Sequence, residues 1–448
     1  SELVHFFMEA GMKKHLTKKE MITLSSMLFG LFFGAGNLIF PAYLGQQSGT
    51  HIVPAVIGFL ITGVGMPLLA VASLGITGRH GLLDLSSRIH PRFGFLFTCL
   101  LYLTIGPFFA APRCVTVPFE MGFNTLFTHR ISPQLALFLF SLLFTGVMLW
   151  FSLRPGKIMD WIGKLLNPLF LFILSILLIQ ALSHPYPLHP STKLYAMAPM
   201  MQGILNGYNT MDVLAGLAFG IIVVQVIQQY GITDPKAIAN NTLKAGILCS
   251  VMMAIIYILT AVVGAYSLGY STLADNGGIV LSHIAVHFFS QQGMILLATI
   301  VLFACLKTDI GLATSFSTTF HEMFPSISYK QWVIFFSGCM LLIANLGLDT
   351  IIQYSVPILM LLYPLAIMLV LLSLTRTSKV VARWTMSRTL IGSLIECIRT
   401  LPFSFGWITY ANAHIPLFQI GFGWLYPMLI GLILGCIFKK KKRKENKI

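Results

Sequence analysis

The sequence predicts an all-α polytopic membrane protein with about twelve transmembrane helices. Three observations support this fold class. Of the 448 residues, 56% are hydrophobic and only 10% are charged, and the mean hydropathy is +0.83. Apolar runs of about 20 residues, the length that a helix needs to cross a bilayer, recur along the whole chain. No polar stretch is long enough to form a soluble domain, so we expect a single membrane domain over residues 1–448.

Basic residues between the predicted spans give the topology. We place the spans at 21–45, 52–76, 93–124, 134–153, 161–182, 201–229, 243–268, 292–320, 331–346, 349–374, 388–410 and 416–438. Most of the 29 Lys and Arg fall between alternate spans or in the tail "KKKKRKENK". The positive-inside rule then predicts that both termini are cytoplasmic. The basic tail suits anionic lipid headgroups, and we expect a lipid bilayer and no nucleic acid as partner.

Two of the predicted spans contain residues that interrupt a helix. The first span carries "LFFGAGNLIFPA" and the sixth carries "LNGYNTMDVLAGLAFG". Interrupted spans at corresponding positions of two five-span halves are typical of inverted-repeat transporters, in which the binding site lies near the middle of the membrane. The predicted order is a cytoplasmic N-terminus (1–20), repeat 1 (21–182), repeat 2 (201–374), helices 11 and 12 (388–438) and a basic cytoplasmic tail (439–448).

The residues around both interruptions form the candidate substrate-binding site. An unwound stretch survives in hydrocarbon only where it is buried in protein or lines a cavity, so its backbone groups are available to a ligand. The amides near Ala35 and Gly36 begin a helix and suit a carboxylate, while freed carbonyls suit an ammonium group. The predicted substrate-binding residues are Gly34, Ala35, Gly36, Asn37, Tyr208, Asn209, Thr210 and Asp212. Close helix packing is the alternative role of the glycines, and holding the break open is the alternative role of Asp212.

Spans three and eight carry charged residues at or near membrane depth. Arg113 and Glu120 share a helical face about 10 Å apart in rise, so we predict a gate or a structural ion pair to another helix. Span eight contains Lys307, Thr308 and Asp309, followed by hydroxyls that suit a small cation or bond their own backbone. Asp309 points away from Lys307 on an ideal helix, so partners of the lysine on spans one or five remain open.

Four stretches resemble the bacterial branched-chain amino acid:cation symporter family, also called branched-chain amino acid transport system II carrier proteins. They occur in the expected order across nearly the whole chain and read "MLFGLFFGAGNLIFPAYLGQQSG", "IGPFFAAPR", "GYNTMDVLAGLAFG" and "FACL". The family belongs to the leucine-transporter fold superfamily. Its first-span motif GLGNFxRFP is similar to residues 34–41 of this chain, with one fewer residue before the Phe-Pro pair.

The resemblance implies a fold and a transport activity. The fold is a 5+5 inverted repeat with discontinuous helices 1 and 6. The activity is secondary active import of Leu, Ile or Val across the bacterial cytoplasmic (inner) membrane, by alternating access and coupled to a cation. The substrate carboxylate would lie on the amides of Ala35 and Gly36, and the amine would lie near carbonyls of spans one and six.

The resemblance also implies a sodium site, but this chain differs from the family pattern at one of its ligand positions. Its ligands would be the backbone oxygens of Gly30 and Phe33 and span-eight hydroxyls, whose positions here are Lys307 and Thr308. An ammonium 4 Å from a sodium ion repels it by about 4 kcal/mol at an effective dielectric of 20. We therefore hypothesise that the Lys307 ammonium substitutes for sodium, which makes transport proton-coupled or uncoupled, with Asp309 as counter-charge.

Other function classes lack their motifs. The chain has no Walker loop, nucleotide-binding GxGxxG after a strand or GxSxG elbow, so we expect no enzyme activity and no cofactor other than a sodium ion. The alternatives kept open are a transporter of another apolar amino acid such as Met, a non-transporting amino acid sensor of the same fold and, less favoured, an integral-membrane enzyme.

Overall fold

The computed structural model describes residues 14–78, 81–123, 131–157, 159–375, 377–401, 406–415, 417–418 and 421–445, and among these it contains helices and no strand. The helices are α1 Lys18–Phe32, α2 Gly36–Ser48, α3 Ile52–Leu60, α4 Met66–Thr77, α5 Leu82–Ser87, α6 Pro91–Leu103, α7 Ala110–Pro118, α8 Pro133–Ser152, α9 Asn167–Leu182, α10 Lys193–Met197, α11 Pro199–Asn209, α12 Asp212–Gln229, α13 Pro235–Tyr266, α14 Gly277–Met323, α15 Tyr329–Ala344, α16 Leu348–Leu374, α17 Lys379–Arg399, α18 Gly406–His414 and α19 Leu425–Glu445. Segments of π-helix lie at Ile61–Gly65, Thr104–Phe108, Phe119–Phe123 and Met159–Leu166.

The described residues contain 8 helical stretches that are long and apolar enough to cross a membrane. They are Gly36–Thr77, Pro91–Phe123, Pro133–Ser152, Pro155–Leu182, Asp212–Gln229, Pro235–Gly269, Gly277–Met323 and Leu348–Leu374. The predicted fold class, an all-α polytopic membrane protein, is therefore confirmed. The first predicted span is divided by its break, which leaves α1 only 15 residues long. The count of twelve spans and the inverted repeat stay predictions.

Several predicted spans have different bounds in the structure, and the eighth and eleventh are two of them. Helix α14 begins at Gly277 and kinks at Ser290 (φ 52°, ψ −141°), so an outer helical segment precedes the predicted span 292–320. Helix α17 begins at Lys379 and ends at Arg399, where the prediction has a span over 388–410. Hydropathy marks only the apolar part of a helix, so a helix with basic residues in its first turns is longer than its apolar run.

Glycines bring α2 and α13 into backbone contact. A Cβ added to Gly45 would collide with the carbonyl oxygen of Ala261, and a Cβ added to Gly264 would collide with the carbonyl oxygen of Ala42. This is the close packing that small residues commonly provide between membrane helices. It holds the outer half of the first span firmly against α13.

Candidate binding site

The interruptions of spans one and six lie side by side around one cavity. Helix α1 ends at Phe32 and α2 begins at Gly36, while Met211 separates α11 from α12 with a left-handed φ of 65°. That conformation costs a residue with a Cβ about 1 to 3 kcal/mol, so the surrounding structure must hold it. The central cavity is lined by Phe32, Gly34, Ala35, Gly36, Asn37, Ile105, Ala110, Arg113, Cys114, Thr210, Met211, Asp212, Ala215, Thr308 and Leu312.

The first backbone amides of α2 are available to a ligand. Asn37 and Leu38 donate the first hydrogen bonds of this turn, and the amides of Ala35 and Gly36 donate to no backbone oxygen of the described residues. The thiol of Cys114 lies beside the amide of Ala35. Because a helix N-terminus carries partial positive charge, these amides keep the geometry expected for binding a carboxylate.

Three buried side chains, which we call the Asn37–Asp212–Tyr257 clamp, connect the two interruptions. The Nδ2 group of Asn37 donates to Asp212 Oδ2 at 2.7 Å and also to the hydroxyl of Tyr257. That hydroxyl donates to the same Asp212 oxygen at 2.9 Å, and the amide of Gly34 donates to Asn37 Oδ1 at 3.0 Å. Asp212 is only 2% exposed. For Asp212 this geometry is consistent with the structural alternative, a role in the interruption itself, and Asn37 joins it in holding the two interruptions together.

The glycines of the first interruption face side chains. A Cβ on Gly34 would lie 3.1 Å from Thr308 Oγ1, and a Cβ on Gly36 would lie 3.3 Å from Arg113 Nη2. Gly45, by contrast, meets the backbone of the neighbouring helix. Gly34 and Gly36 therefore make room for the side chains of Thr308, Arg113 and Phe40, and the choice between substrate binding and helix packing for these glycines stays a prediction.

A larger cavity, which we call the vestibule, adjoins the central cavity. It has a volume of about 900 Å³, and Gly36 and Arg113 line both cavities. The central cavity measures only about 30 Å³, enough for roughly two water molecules, so an amino acid fits there only if the surrounding helices move. The polar lining of the vestibule includes Tyr43, Glu120, Asn206, Asn209, Asp275, Asn276, Asn345 and Asp349.

The predicted substrate-binding residues of span six separate into two groups. Thr210 lines the central cavity and donates to the carbonyl of Gly207 at 2.8 Å, while Asn209 lines the vestibule. The ring of Tyr208 packs 4.9 Å from Tyr363, whose hydroxyl donates to the Tyr208 carbonyl. Tyr208 is not among the residues that line either cavity, and its role in substrate binding stays a prediction.

Lys307 is buried between spans one and five. It is 0% exposed, and its ammonium donates to Asn167 Oδ1 at 3.0 Å and lies 3.6 Å from the ring centroid of Phe170. A Cβ on Gly30 would lie 3.4 Å from the Cβ of Asn167, so span one contacts the same asparagine. The predicted cation-site residues Gly30 and Lys307 therefore come together, through a residue of span five. The ring of Phe33 lies tilted against that of Phe170, with their centroids 5.4 Å apart.

Asp309 lies on another face of α14 and is not a direct counter-charge of Lys307. No ion pair joins the two residues, because positions two apart on a helix point in nearly opposite directions. Both carboxylate oxygens of Asp309 lack a hydrogen-bond partner of ordinary geometry among the described residues, and the thiol of Cys114 lies beside them. The hydroxyl of Thr308 also lacks a partner there and lines the central cavity.

The predicted structural ion pair of span three is not formed among the described residues. Neither Arg113 nor Glu120 pairs with a charged residue of opposite sign in the described ranges. Glu120 is exposed in the vestibule. Arg113 lies where the two cavities meet, with its guanidinium carbon 6.0 Å from the ring centroid of Phe40. A gating role for these residues stays a prediction.

Asn167 and Tyr257 are site residues that the sequence did not identify. Each is an isolated polar side chain in an apolar run, "LLNPLFLF" for Asn167 and "AIIYILTAVV" for Tyr257. A buried polar side chain requires a hydrogen-bond partner, so these runs carried a usable signal. The contact between Asn167 and Lys307 could be identified only from the arrangement of the helices in space.

Comparison with known proteins gives the family and a similar fold. Residues 17–442 match the family described as "Branched-chain amino acid transport protein". The fold is similar to that of MHP1, a nucleobase-cation-symport-1 family transporter solved in a closed conformation with bromovinylhydantoin bound. The TM-score is 0.58 at 13% sequence identity, over 93% of this chain and 91% of the other. At that identity the similarity concerns the fold alone.

Full-length relatives have the same description. The chain is 51% identical to the branched-chain amino acid permease BrnQ of Lactobacillus delbrueckii subsp. lactis, over 96% of this chain and 100% of the relative. It is 39% identical to the permease BraB of Bacillus subtilis (95% and 97%) and 35% identical to BrnQ of Escherichia coli K12 (97% and 99%). These relatives are named permeases and not enzymes, and several helices here suit a multi-pass membrane protein. The chain belongs to the branched-chain amino acid transport protein family.

Proposed function

We propose that the chain imports leucine, isoleucine and valine across the cytoplasmic membrane by alternating access around the central cavity. The observation that carries this proposal is the meeting of two interrupted spans at one small cavity. Ala35 and Gly36, whose amides donate to no backbone oxygen of the described residues, lie on its wall. Apolar side chains supply the rest of a pocket for a branched side chain, including Ile105, Ala215 and Leu312.

Two cavities of unequal size support an alternating-access cycle. The vestibule, about 900 Å³, lies on the outer side of the predicted topology and would admit substrate. The central cavity, about 30 Å³, must expand before it can hold an amino acid. Rocking of one helix group against the other around a fixed site is the motion by which inverted-repeat transporters achieve this.

For the coupling ion we propose that the Lys307 ammonium takes the place of sodium. Lys307 contacts Asn167 beside Gly30, within the group of residues from which the sodium site was predicted. A second positive charge there would meet repulsion of about 4 kcal/mol at 4 Å and a dielectric of 20. Transport is then coupled to protons or uncoupled, and sodium is not required.

The test is uptake of radiolabelled leucine into proteoliposomes with independent sodium and proton gradients. We expect uptake that isoleucine and valine inhibit and that sodium does not stimulate at fixed pH and membrane potential. The variant Lys307→Thr restores a hydroxyl, so any sodium stimulation should appear only there. Steep sodium dependence of the unmodified chain would refute the lysine hypothesis. Binding without uptake would indicate a sensor, and stronger inhibition by methionine than by leucine would indicate a different substrate.

A further inference from the structure

We propose that Arg113 recognises the carboxylate of the transported amino acid where the vestibule meets the central cavity. This inference rests on the proposed transport of amino acids and adds a charged side chain to the backbone amides of Ala35 and Gly36. The ligand class is an α-amino acid with a free carboxylate.

The position of Arg113 supports this role. Span three is bent at Gly106, whose backbone is non-helical (φ −87°, ψ −122°), and α7 begins after this bend. The guanidinium then lies against the start of α2, with Nη2 3.3 Å from the place where a Cβ on Gly36 would be. Arg113 lines both cavities, so a substrate entering the central cavity passes it.

Arg113 has no direct ion-pair partner among the described residues, although the Asp212 carboxylate is near enough to attract it. Its side chain makes no ion pair with a described residue, although Asp212 lines the same central cavity. The Oδ2 atom of Asp212 already accepts from Asn37 and Tyr257. Arginine at membrane depth is energetically expensive and usually faces a cavity or a partner of opposite charge. A substrate carboxylate would give Arg113 the direct ion pair that Asp212 does not form with it.

The charges of the vestibule would orient a zwitterion. Its lining carries the carboxylates of Glu120, Asp275 and Asp349, and Arg113 is the single basic residue among the described residues that line it. An amino acid would enter with its ammonium group towards the three carboxylates and its carboxylate towards Arg113. The planar guanidinium can hold a carboxylate through two parallel hydrogen bonds, which a lysine cannot do.

The experiment compares leucine with leucinol, which keeps the ammonium and side chain but has no carboxylate. Dissociation constants of both ligands are measured by isothermal titration calorimetry on the purified full chain, unmodified and as Arg113→Gln and Arg113→Lys. Arg154→Gln is the matched control, because Arg154 is exposed and its guanidinium carbon lies 5.2 Å from the Trp150 ring centroid, away from both cavities.

We expect Arg113→Gln to weaken leucine binding about tenfold to a hundredfold, the range of a hydrogen bond to a charged group, and to leave leucinol binding unchanged. Arg113→Lys keeps the charge but cannot form two parallel hydrogen bonds to a carboxylate. It should therefore lose less affinity for leucine than Arg113→Gln and none for leucinol. Arg154→Gln should bind both ligands like the unmodified chain.

Each of three outcomes would refute either the proposed transport of amino acids or the recognition of the carboxylate by Arg113. An unmodified chain that binds no leucine refutes the proposed function itself. If that chain binds leucine and Arg113→Gln retains its preference for leucine over leucinol, the role of Arg113 is refuted. If both ligands weaken equally while leucine uptake slows, Arg113 acts as a gate and the inference is also refuted. Should Arg113→Gln fail to fold, as judged by size-exclusion chromatography, the same criteria apply to Arg113→Lys.

Discussion

The clamp that joins the two interruptions makes a quantitative prediction for Tyr257→Phe. This variant removes only the hydroxyl, which donates to Asp212 Oδ2 at 2.9 Å and accepts from Asn37. The ring keeps its packing on Phe33 and Phe59, whose centroids lie 5.8 and 5.1 Å away. No large cavity forms, so the measured effect reports the hydrogen bonds.

Two reference ranges for the strength of a hydrogen bond bracket the expected fall in the free energy of unfolding. A hydrogen bond to a charged group contributes about 1.5 to 3 kcal/mol in soluble proteins, whereas side-chain hydrogen bonds inside a membrane protein average about 0.6 and reach about 1.7 kcal/mol. The Tyr257 hydroxyl is buried and bridges two partners, but Asn37 still donates to Asp212 after it is removed. We therefore expect the free energy of unfolding to fall by about 1 to 2 kcal/mol.

The assay is reversible unfolding in mixed detergent micelles with increasing sodium dodecyl sulfate, followed by circular dichroism. Tyr266→Phe is the control, since Tyr266 lies on the same helix α13 and its hydroxyl is not part of the clamp. Leucine uptake measured in parallel should fall for Tyr257→Phe only. If both variants lose the same stability and keep the same uptake, the clamp does not hold the interruptions together.

Two further variants probe packing and the buried lysine. Gly45→Ala places a methyl group against the carbonyl oxygen of Ala261, so we expect about 1 to 3 kcal/mol of destabilisation and a lower yield of monodisperse protein. Gly146→Ala, which meets no atom within 4 Å, should behave like the unmodified chain, and an equal loss in both would contradict the close-contact argument. Asn167→Ala leaves the buried Lys307 ammonium without its acceptor, so we expect about 1 to 3 kcal/mol lower stability in the same unfolding assay. Adding Lys307→Met should recover part of that loss, and a further loss would show that the ammonium has another partner.

The sequence was sufficient for the fold class and for the location of the interruptions. A chain that is 56% hydrophobic, with apolar runs of membrane length, cannot bury its apolar surface as a water-soluble domain. Glycine, asparagine and aspartate are unfavourable in the interior of a helix, whatever the tertiary structure around them. These signals are local, so they remain visible without the tertiary structure. The interruption after Phe32 and the one before Asp212 are both present where the sequence predicts them.

Side-chain partners depended on the tertiary structure. Nothing local indicates that Lys307 contacts Asn167, 140 positions away, that Asp309 faces Cys114, or that Arg113 reaches Gly36. These contacts are set by the bends and rotations of packed helices, where one residue along a helix turns a side chain by about 100°. The sequence by itself therefore determined that a membrane transporter has two interrupted helices, and only the packing decided which polar groups face the cavity between them.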